Sequence, residues 1–114
     1  MPCIQTTTSV SVTPAQRETL EARFGKAIEI FPGKSERWLM LTLRDNTPVC
    51  MAGDGKTPAA FVEVSLLGRS DRAHFERMTA EICAVLQDVL ALDPARVYVK
   101  YTEVAHWGWN GGNF

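Results

Sequence analysis

The hydrophobic positions of this chain fall into six segments that use two different spacings. In two of the segments they lie three and four residues apart, which is the pattern of an amphipathic helix. The first helical stripe consists of Leu20, Phe24, Ala27, Ile28 and Phe31, and the second of Phe75, Met78, Ile82, Val85, Leu86 and Val89. The other four segments are short runs of β-branched, aromatic and aliphatic residues, which predict strands over residues 3–9, 37–44, 61–66 and 96–101.

Local signals mark the ends of both predicted helices. Thr13 is a favourable N-cap residue, Pro14 suits the first helical position, and Gln16 completes a capping box. Pro32-Gly33 is expected to end this first helix. Ser70-Asp71 is expected to cap the second helix. Residues 45–56 are rich in turn formers and separate the second and third strands.

The order strand, helix, strand occurs twice, which predicts an α+β fold made of two βαβ units. Right-handed crossovers would place both helices on one face of a four-stranded mixed sheet. The length of 114 residues suits a single domain covering residues 1–114. The segment 37–44 is apolar at nearly every position, so we expect both of its faces to be buried. An apolar open face of the sheet then predicts an oligomer.

Composition excludes several classes of partner. The formal net charge is −1 and no basic cluster occurs, which argues against nucleic acid and against an anionic membrane. Cys3, Cys50 and Cys83 form no C-x-x-C motif and have no histidine at ligand spacing, so neither a metal site nor a cofactor is expected. The first residues lack the features of a signal peptide, which predicts a cytoplasmic protein. Export by a route without a signal peptide is the alternative.

Pro2 is the candidate for chemistry because it follows Met1 directly. Removal of Met1 would turn its nitrogen into an N-terminal secondary amine. An α-amino group titrates near neutrality, at about 7.7 to 8.0. Surroundings that disfavour its charged form would let it remove a proton from carbon without any carboxylate or histidine. Proline at this position is also common without function, so the rest of the chain has to decide.

Five short pieces of sequence occur in an order and spacing similar to those of one known family. They are Met1-Pro2-Cys3, Gly33-Lys34, Leu67-Gly68, the run from Arg96 to Val99, and the run from Gly108 to Phe114. Through them the chain resembles, over essentially its whole length, the macrophage migration inhibitory factor family of the tautomerase superfamily. The resemblance implies a homotrimer of such subunits with three active sites at subunit boundaries. It also implies keto–enol tautomerisation of phenylpyruvate-type and dopachrome-type compounds.

The resemblance assigns roles to individual positions of this sequence. Pro2 matches the acid/base, and Lys34 matches a lysine that binds the carboxylate or carbonyl oxygen of a small aromatic keto acid. Leu67 matches a residue whose backbone N–H donates a hydrogen bond to substrate, and Tyr98 matches a tyrosine from the neighbouring subunit. The pocket-lining positions are Trp38, Trp107 and Phe114. Without the resemblance, the sequence would indicate that Lys34 is a solvent-exposed residue in a turn and that Tyr98 is a half-buried aromatic residue of a strand.

The chain also departs from the family pattern. Lys100 stands where the best-known members have asparagine, and it either adds a second cation to the site or points to solvent. Ala59 and Val62 replace the cysteines of a C-x-x-C motif found in some members, which excludes the thiol-disulfide activity attributed to them. Trp107 is larger than the usual valine and is expected to reshape the pocket.

Three functions follow from these observations. The first is a cofactor-independent tautomerase with Pro2 as general base. The second is a cytokine-like protein that binds a receptor protein, with the enzymatic pocket vestigial. The third is an inactive structural trimer. The aromatic tail, residues 105–114, is expected to dock on a neighbouring chain.

Overall fold

The structure is a computed structural model that describes every residue from Met1 to Phe114. Its helices and strands follow the predicted order, and a short hairpin is added at the carboxyl end. The elements are β1 (Pro2–Thr8), α1 (Pro14–Ala27), β2 (Met40–Arg44), β3 (Ala60–Leu67), α2 (Arg72–Leu90), β4 (Val97–Val104), β5 (Gly108–Trp109) and β6 (Gly112–Asn113). No helix combines the length and the apolar run that crossing a membrane requires.

The four long strands form one mixed sheet in the order β2-β1-β3-β4. β1 runs parallel to β2, β3 runs parallel to β4, and the two central strands β1 and β3 are antiparallel. Each parallel pair is joined by one helix, so the molecule consists of two βαβ units whose first strands lie side by side. The predicted α+β fold with a four-stranded mixed sheet is therefore confirmed.

Both helices pack on one face of the sheet. Alternate residues of β1 and β3 point toward them, and the predicted helical stripes supply the other half of the core. Each large aliphatic side chain buried here stabilises the fold by about 1.5 to 3 kcal/mol. The fully buried members of this core include Ile4, Val62, Val64, Leu66, Met78, Ile82, Val85 and Leu86.

The first helix begins as predicted but ends earlier. The Thr13 side chain accepts a hydrogen bond from the Gln16 N–H, and the Gln16 side chain bonds back to the Thr13 N–H. The helix stops at Ala27, and residues 28–30 form a tighter 3₁₀ turn before Gly33 reverses the chain with a φ of 79°. The prediction that Pro32-Gly33 ends the helix was wrong because Ile28 and Phe31 can be buried without helical backbone.

The second strand is shorter than predicted, and only one of its faces is covered. Residues 36–38 form a 3₁₀ turn, and β2 begins at Met40. Leu41 and Leu43 are half-buried beneath α1, whereas Met40 is 64% exposed on the other face. Within one chain, the prediction of two buried faces fails because the helices cover only one side of the sheet.

The open face of the sheet carries both polar and apolar residues, so it is less apolar than the sequence-based expectation. Strand alternation places every second residue of each strand there. Its most exposed large hydrophobic side chains are Tyr98, at 65%, and Met40, at 64%. Its polar residues are Gln5, Thr7, Thr42, Arg44, Glu63, Ser65, Lys100 and Thr102.

Arg96 organises the long connection between β2 and β3. Its guanidinium donates hydrogen bonds to the carbonyl oxygens of Met51, Asp54 and Thr57, each at 2.9 Å, and to that of Pro58 at 3.4 Å. The Asp54 carboxylate accepts the N–H groups of Lys56 and Thr57, as in an Asx turn. The predicted turn region is thus an ordered loop held by one side chain at the start of β4.

Candidate functional site

A chain of hydrogen bonds lies at the amino end of β1, where Pro2 begins the strand. The Leu67 N–H donates to the carbonyl oxygen of Met1 at 3.0 Å, which extends the β1–β3 ladder one step beyond Pro2. The Lys34 ammonium donates to the carbonyl oxygen of Leu67 at 2.9 Å. Both backbone groups of Leu67 are therefore engaged. Three residues to which the resemblance assigns roles, Pro2, Lys34 and Leu67, are brought together at one end of the sheet.

The position of Lys34 follows from the turn after α1. Gly33 adopts a left-handed conformation that other residues avoid, and the Lys34 N–H donates to the carbonyl oxygen of Phe31 at 3.0 Å. Phe31 is itself fixed in the core by ring contacts with Phe75 and Tyr101. The lysine thus leaves a well-anchored turn and reaches across to the end of β3.

The electrostatic environment of this end of β1 disfavours a charged amine. Burial lowers the pKa of the Met1 amine below its usual value, and the nearby Lys34 cation and its hydrogen bond lower it further. Pro2 is buried in the structure. The nitrogen of Pro2 follows Met1 directly, at the start of β1.

An aromatic cluster lies where β2 begins, at the same end of the sheet as Pro2. The ring of Trp38 packs edge-on against those of Trp109 and Phe114, with ring centres 5.1 Å and 5.9 Å apart. The rings of Trp109 and Phe114 stack with their centres 5.7 Å apart. The Arg37 guanidinium lies 5.1 Å from the centre of the Trp38 ring. Because Met40 pairs with Cys3, Trp38 comes just before the part of β2 that flanks the start of β1.

Within the chain, the tail that carries this cluster folds back toward the start of β2. β5 and β6 pair as a small antiparallel hairpin, and the Phe114 N–H donates to the carbonyl oxygen of Trp107 at 3.1 Å. Trp107 makes none of the ring contacts of the cluster. The sequence-based interpretation missed Trp109, although its place in the Gly-Trp-Asn run that carried the resemblance was an available signal.

Tyr98 and Lys100 lie elsewhere, on the open face of β4. Pro2 pairs with Leu66 and Tyr98 pairs with Phe61. Their partners on β3 are thus five residues apart along the strand. At the usual strand rise this is roughly 17 Å. The Lys100 ammonium lies 3.3 Å from the Glu63 carboxylate on the same face. Within one chain neither Tyr98 nor Lys100 joins Pro2.

Two further features border the Pro2 region. Cys3 is half-buried on the open face, and burial raises the pKa of its thiol. On the side of α2, a cavity of about 210 Å³ adjoins Lys34. The Ser70 hydroxyl and a ring nitrogen of His74, both in the cavity wall, are hydrogen-bonded at 2.9 Å. No three side chains among His, Cys, Asp and Glu come together in a way that would hold a metal ion.

Comparison of the sequence with known proteins gives a consistent result. The family model of macrophage migration inhibitory factor (MIF) matches residues 1–114. Macrophage migration inhibitory factor from Rattus norvegicus is 32% identical over 59 residues, which is 50% of this chain and 51% of the rat protein. The protein of the same name from Mus musculus matches to the same extent. The aligned region thus spans about half the length of these curated relatives.

Comparison of the fold extends over nearly all of the chain. The crystal structure of Leishmania major MIF2 superimposes with a TM-score of 0.93 and 35% identity, covering 100% of this chain and 97% of that one. The macrophage migration inhibitory factor homologue from Prochlorococcus marinus gives a TM-score of 0.89 and 26% identity, covering 98% of each chain. The chain belongs to the macrophage migration inhibitory factor family.

Proposed function

We propose that this protein is a cofactor-independent keto–enol tautomerase that acts on phenylpyruvate-type and dopachrome-type compounds, with the N-terminal amine of Pro2 as general acid/base. Membership of the family supports an isomerase of the tautomerase type. The observation that carries the proposal is the meeting of Pro2, Lys34 and the Leu67 backbone at one end of the sheet. We place the protein in the cytoplasm, with secretion by a route without a signal peptide as the alternative.

The environment of Pro2 suits a base that works near neutral pH. Burial and the Lys34 cation both favour the neutral form of an amine at this end of β1, as the lowered pKa of the Met1 amine illustrates. A neutral amine accepts a proton from the carbon next to a keto group. The same amine, once protonated, returns the proton at the other end of the enol system.

Lys34 and Leu67 are suited to the oxygen on which negative charge develops. The lysine supplies a cation held in place by the Leu67 carbonyl oxygen, and the Leu67 N–H becomes a free, directed donor once Met1 and its carbonyl oxygen are removed. Such preorganised donors stabilise a developing oxyanion without further reorganisation. The exposed rings of Trp38, Trp109 and Phe114 at the same end favour an aromatic substrate.

The position of Tyr98 favours a homotrimer with sites between subunits. A site that contains Pro2 together with Tyr98 requires the tyrosine of a second chain, because strand register separates the two within one chain. Tyr98 is 65% exposed on the open face of β4. Lys100 shares this face and would accompany Tyr98, with its charge partly balanced by Glu63.

The proposal is tested by the rate of enol formation from phenylpyruvate, using chains whose intact mass shows that Met1 is absent. The P2G variant is expected to lose about 10²-fold or more in kcat/KM, the range of a positioned acid/base. P48G, which changes a proline in the loop between β2 and β3, is the matched control and should retain the wild-type rate. Equal rates for wild type and P2G would refute the proposed role of Pro2.

The same experiment separates the enzyme from its competitors. A chain that lacks Met1, forms a trimer in ultracentrifugation and is still inactive would favour one of the two other functions, a structural trimer or a cytokine-like protein that binds a receptor. No group of residues described above is specific for a receptor protein. The enzymatic proposal is therefore the one that rests on geometry.

A further inference from the structure

The open face of the sheet carries a single acidic side chain, that of Glu63 in β3. The cations on this face are Arg44 in β2 and Lys100 in β4. Strand register places Glu63 directly opposite Lys100, and the Lys100 ammonium lies 3.3 Å from the Glu63 carboxylate. No other ion pair lies on this face. Within the chain, Glu63 therefore pairs with Lys100 alone.

Two groups of β3 keep the Lys100 ammonium close to that strand. One is the Glu63 carboxylate, and the other is the ring of Phe61, whose centre lies 6.0 Å from the ammonium nitrogen. The side chains of Lys100 and Glu63 are 59% and 38% exposed. Both charges are thus held near each other and are still open to a molecule that binds on this face.

The pair lies beside Tyr98, which the proposed function places in the site of a neighbouring subunit. Lys100 follows Tyr98 by two residues on the same face of β4, which is roughly 7 Å along the strand. A site reached by Tyr98 therefore has the ion pair at its edge. This step rests on the proposed function. At that separation charges still act on one another, since screening extends over about 8 Å at physiological ionic strength.

We propose that Glu63 is a specificity-determining residue of the substrate site, which reduces the preference of the site for compounds that carry a carboxylate. Lys100 attracts such a carboxylate. Glu63 opposes it in two ways, because it balances the charge of the ammonium and because it repels an anion directly. Specificity is a difference between affinities, and a neutral aromatic carbonyl compound is indifferent to both effects. The pair therefore widens the substrate class from aromatic keto acids to their uncharged analogues.

The effect of Glu63 is separate from that of Lys34, the cation already proposed for the substrate oxygen. The Lys34 ammonium bonds to the carbonyl oxygen of Leu67. Leu67 lies four residues beyond Glu63 in β3, which is roughly 13 Å along the strand. That distance exceeds the screening length of about 8 Å. A substitution at Glu63 therefore leaves the Lys34 contact of the same chain in place.

The experiment compares two ligands of similar shape and different charge. Cinnamate carries a carboxylate, cinnamamide is neutral, and neither can enolise. Their affinities are measured by calorimetry at low ionic strength, on chains that lack Met1 and sediment as the wild type does. The variants are E63Q, K100M and the double variant. E29Q is the matched control, because Glu29 also forms an ion pair with a lysine, Lys26, at 3.6 Å, away from the sheet.

The readout is the ratio of the affinity for cinnamate to that for cinnamamide. E63Q is expected to raise this ratio by about three- to fivefold, the range of an exposed ion pair. E29Q should leave it unchanged, and E63Q in the K100M background should change it by less than about twofold. A general change in stability or packing would alter both affinities together and leave the ratio as it was.

Steady-state kinetics provide the second readout. E63Q should lower KM for phenylpyruvate by about three- to fivefold and leave KM for its methyl ester unchanged. An unchanged or lower affinity ratio in E63Q, an equal rise in E29Q, or an undiminished rise in the K100M background would overturn the inference. Failure of the wild-type chain to bind either ligand would also overturn it.

The P2G variant separates this inference from the proposed function. If P2G is as active as wild type and E63Q still raises the ratio, Pro2 is not the base and the role of Glu63 in binding stands. If P2G loses activity and E63Q leaves the ratio unchanged, the tautomerase stands and Glu63 has no part in its specificity.

Discussion

The side chain of Lys34 and the backbone of Leu67 are joined by a hydrogen bond of 2.9 Å, although 33 residues separate them along the chain. The bond links the turn after α1 to the end of β3 beside Pro2. It gives the lysine two effects, since it fixes the peptide that follows Leu67 and leaves a cation next to the proposed base. Both effects can be tested by substitution.

K34M is expected to destabilise the fold by about 1 kcal/mol, because one partly buried hydrogen bond is lost. A larger effect is expected on catalysis, with KM for phenylpyruvate raised about tenfold or more as the cation for the substrate oxygen disappears. K56M removes the same charge from an exposed loop position and serves as the control. Urea unfolding and steady-state kinetics on both variants separate the two effects. A K34M enzyme with unchanged KM would exclude Lys34 from the site.

R96K is expected to cost about 3 kcal/mol in the free energy of unfolding. The arginine side chain is only 12% exposed and donates to several loop carbonyls that a lysine ammonium cannot reach together. R72K, on the exposed first turn of α2, should change stability by less than about 0.5 kcal/mol. Denaturant titration measures both, and similar costs for the two variants would show that the loop does not depend on Arg96.

Asp54 predicts a specific acid sensitivity of the same loop. The hydroxyl and N–H of Thr57 and the N–H of Lys56 lower the pKa of this carboxyl from 3.8 to about 2. Because the pKa is lower in the folded state, the stabilisation is present above pH 3.8 and is lost as the pH falls toward 2. The difference in unfolding free energy between wild type and D54A should therefore shrink over that range. A difference that stays constant down to pH 2 would contradict this assignment.

The aromatic cluster predicts an energetic coupling between distant parts of the chain. A double-mutant cycle of W38A and W109A should give a coupling of about 1 kcal/mol, as edge-to-face ring pairs usually do. The cycle of W38A and W107A is the control, and its coupling should be below about 0.3 kcal/mol because Trp107 makes no ring contact with Trp38. Equal couplings would mean that the tail does not dock through Trp109.

Features set by local interactions could be predicted from the sequence. The capping box of Thr13 and Gln16 lies within one turn of helix, and the two helical stripes follow from side-chain periodicity alone. The order of strands and helices then restricted the fold to two βαβ units. The end of α1 was missed because Ile28 and Phe31 are buried by tertiary packing, which helical periodicity does not distinguish from helix.

Features that depend on distant partners were the ones that sequence could not provide. Whether β2 is buried on both faces is decided by which sides of the sheet other elements cover, not by Leu39 to Leu43 themselves. The docking of Trp109 on Trp38 requires a fold in which the tail returns to the start of β2. Likewise, the separation of Tyr98 from Pro2 within one chain follows from strand register.

The proposed mechanism requires the amine of Pro2 to be neutral, and so able to act as a base, at the pH where the enzyme works, and this can be measured by titrating that amine. The sample is a chain that lacks Met1 and carries ¹⁵N at Pro2. NMR titration should give a lower pKa for its Pro2 amine than for the same amine in a short peptide of the first residues. The reason is that the surroundings of the folded chain already lower the pKa of the Met1 amine. The acidic limb of the pH–rate profile for phenylpyruvate should show the same pKa. A Pro2 amine that stays protonated through the pH range of full activity would exclude Pro2 as the general base.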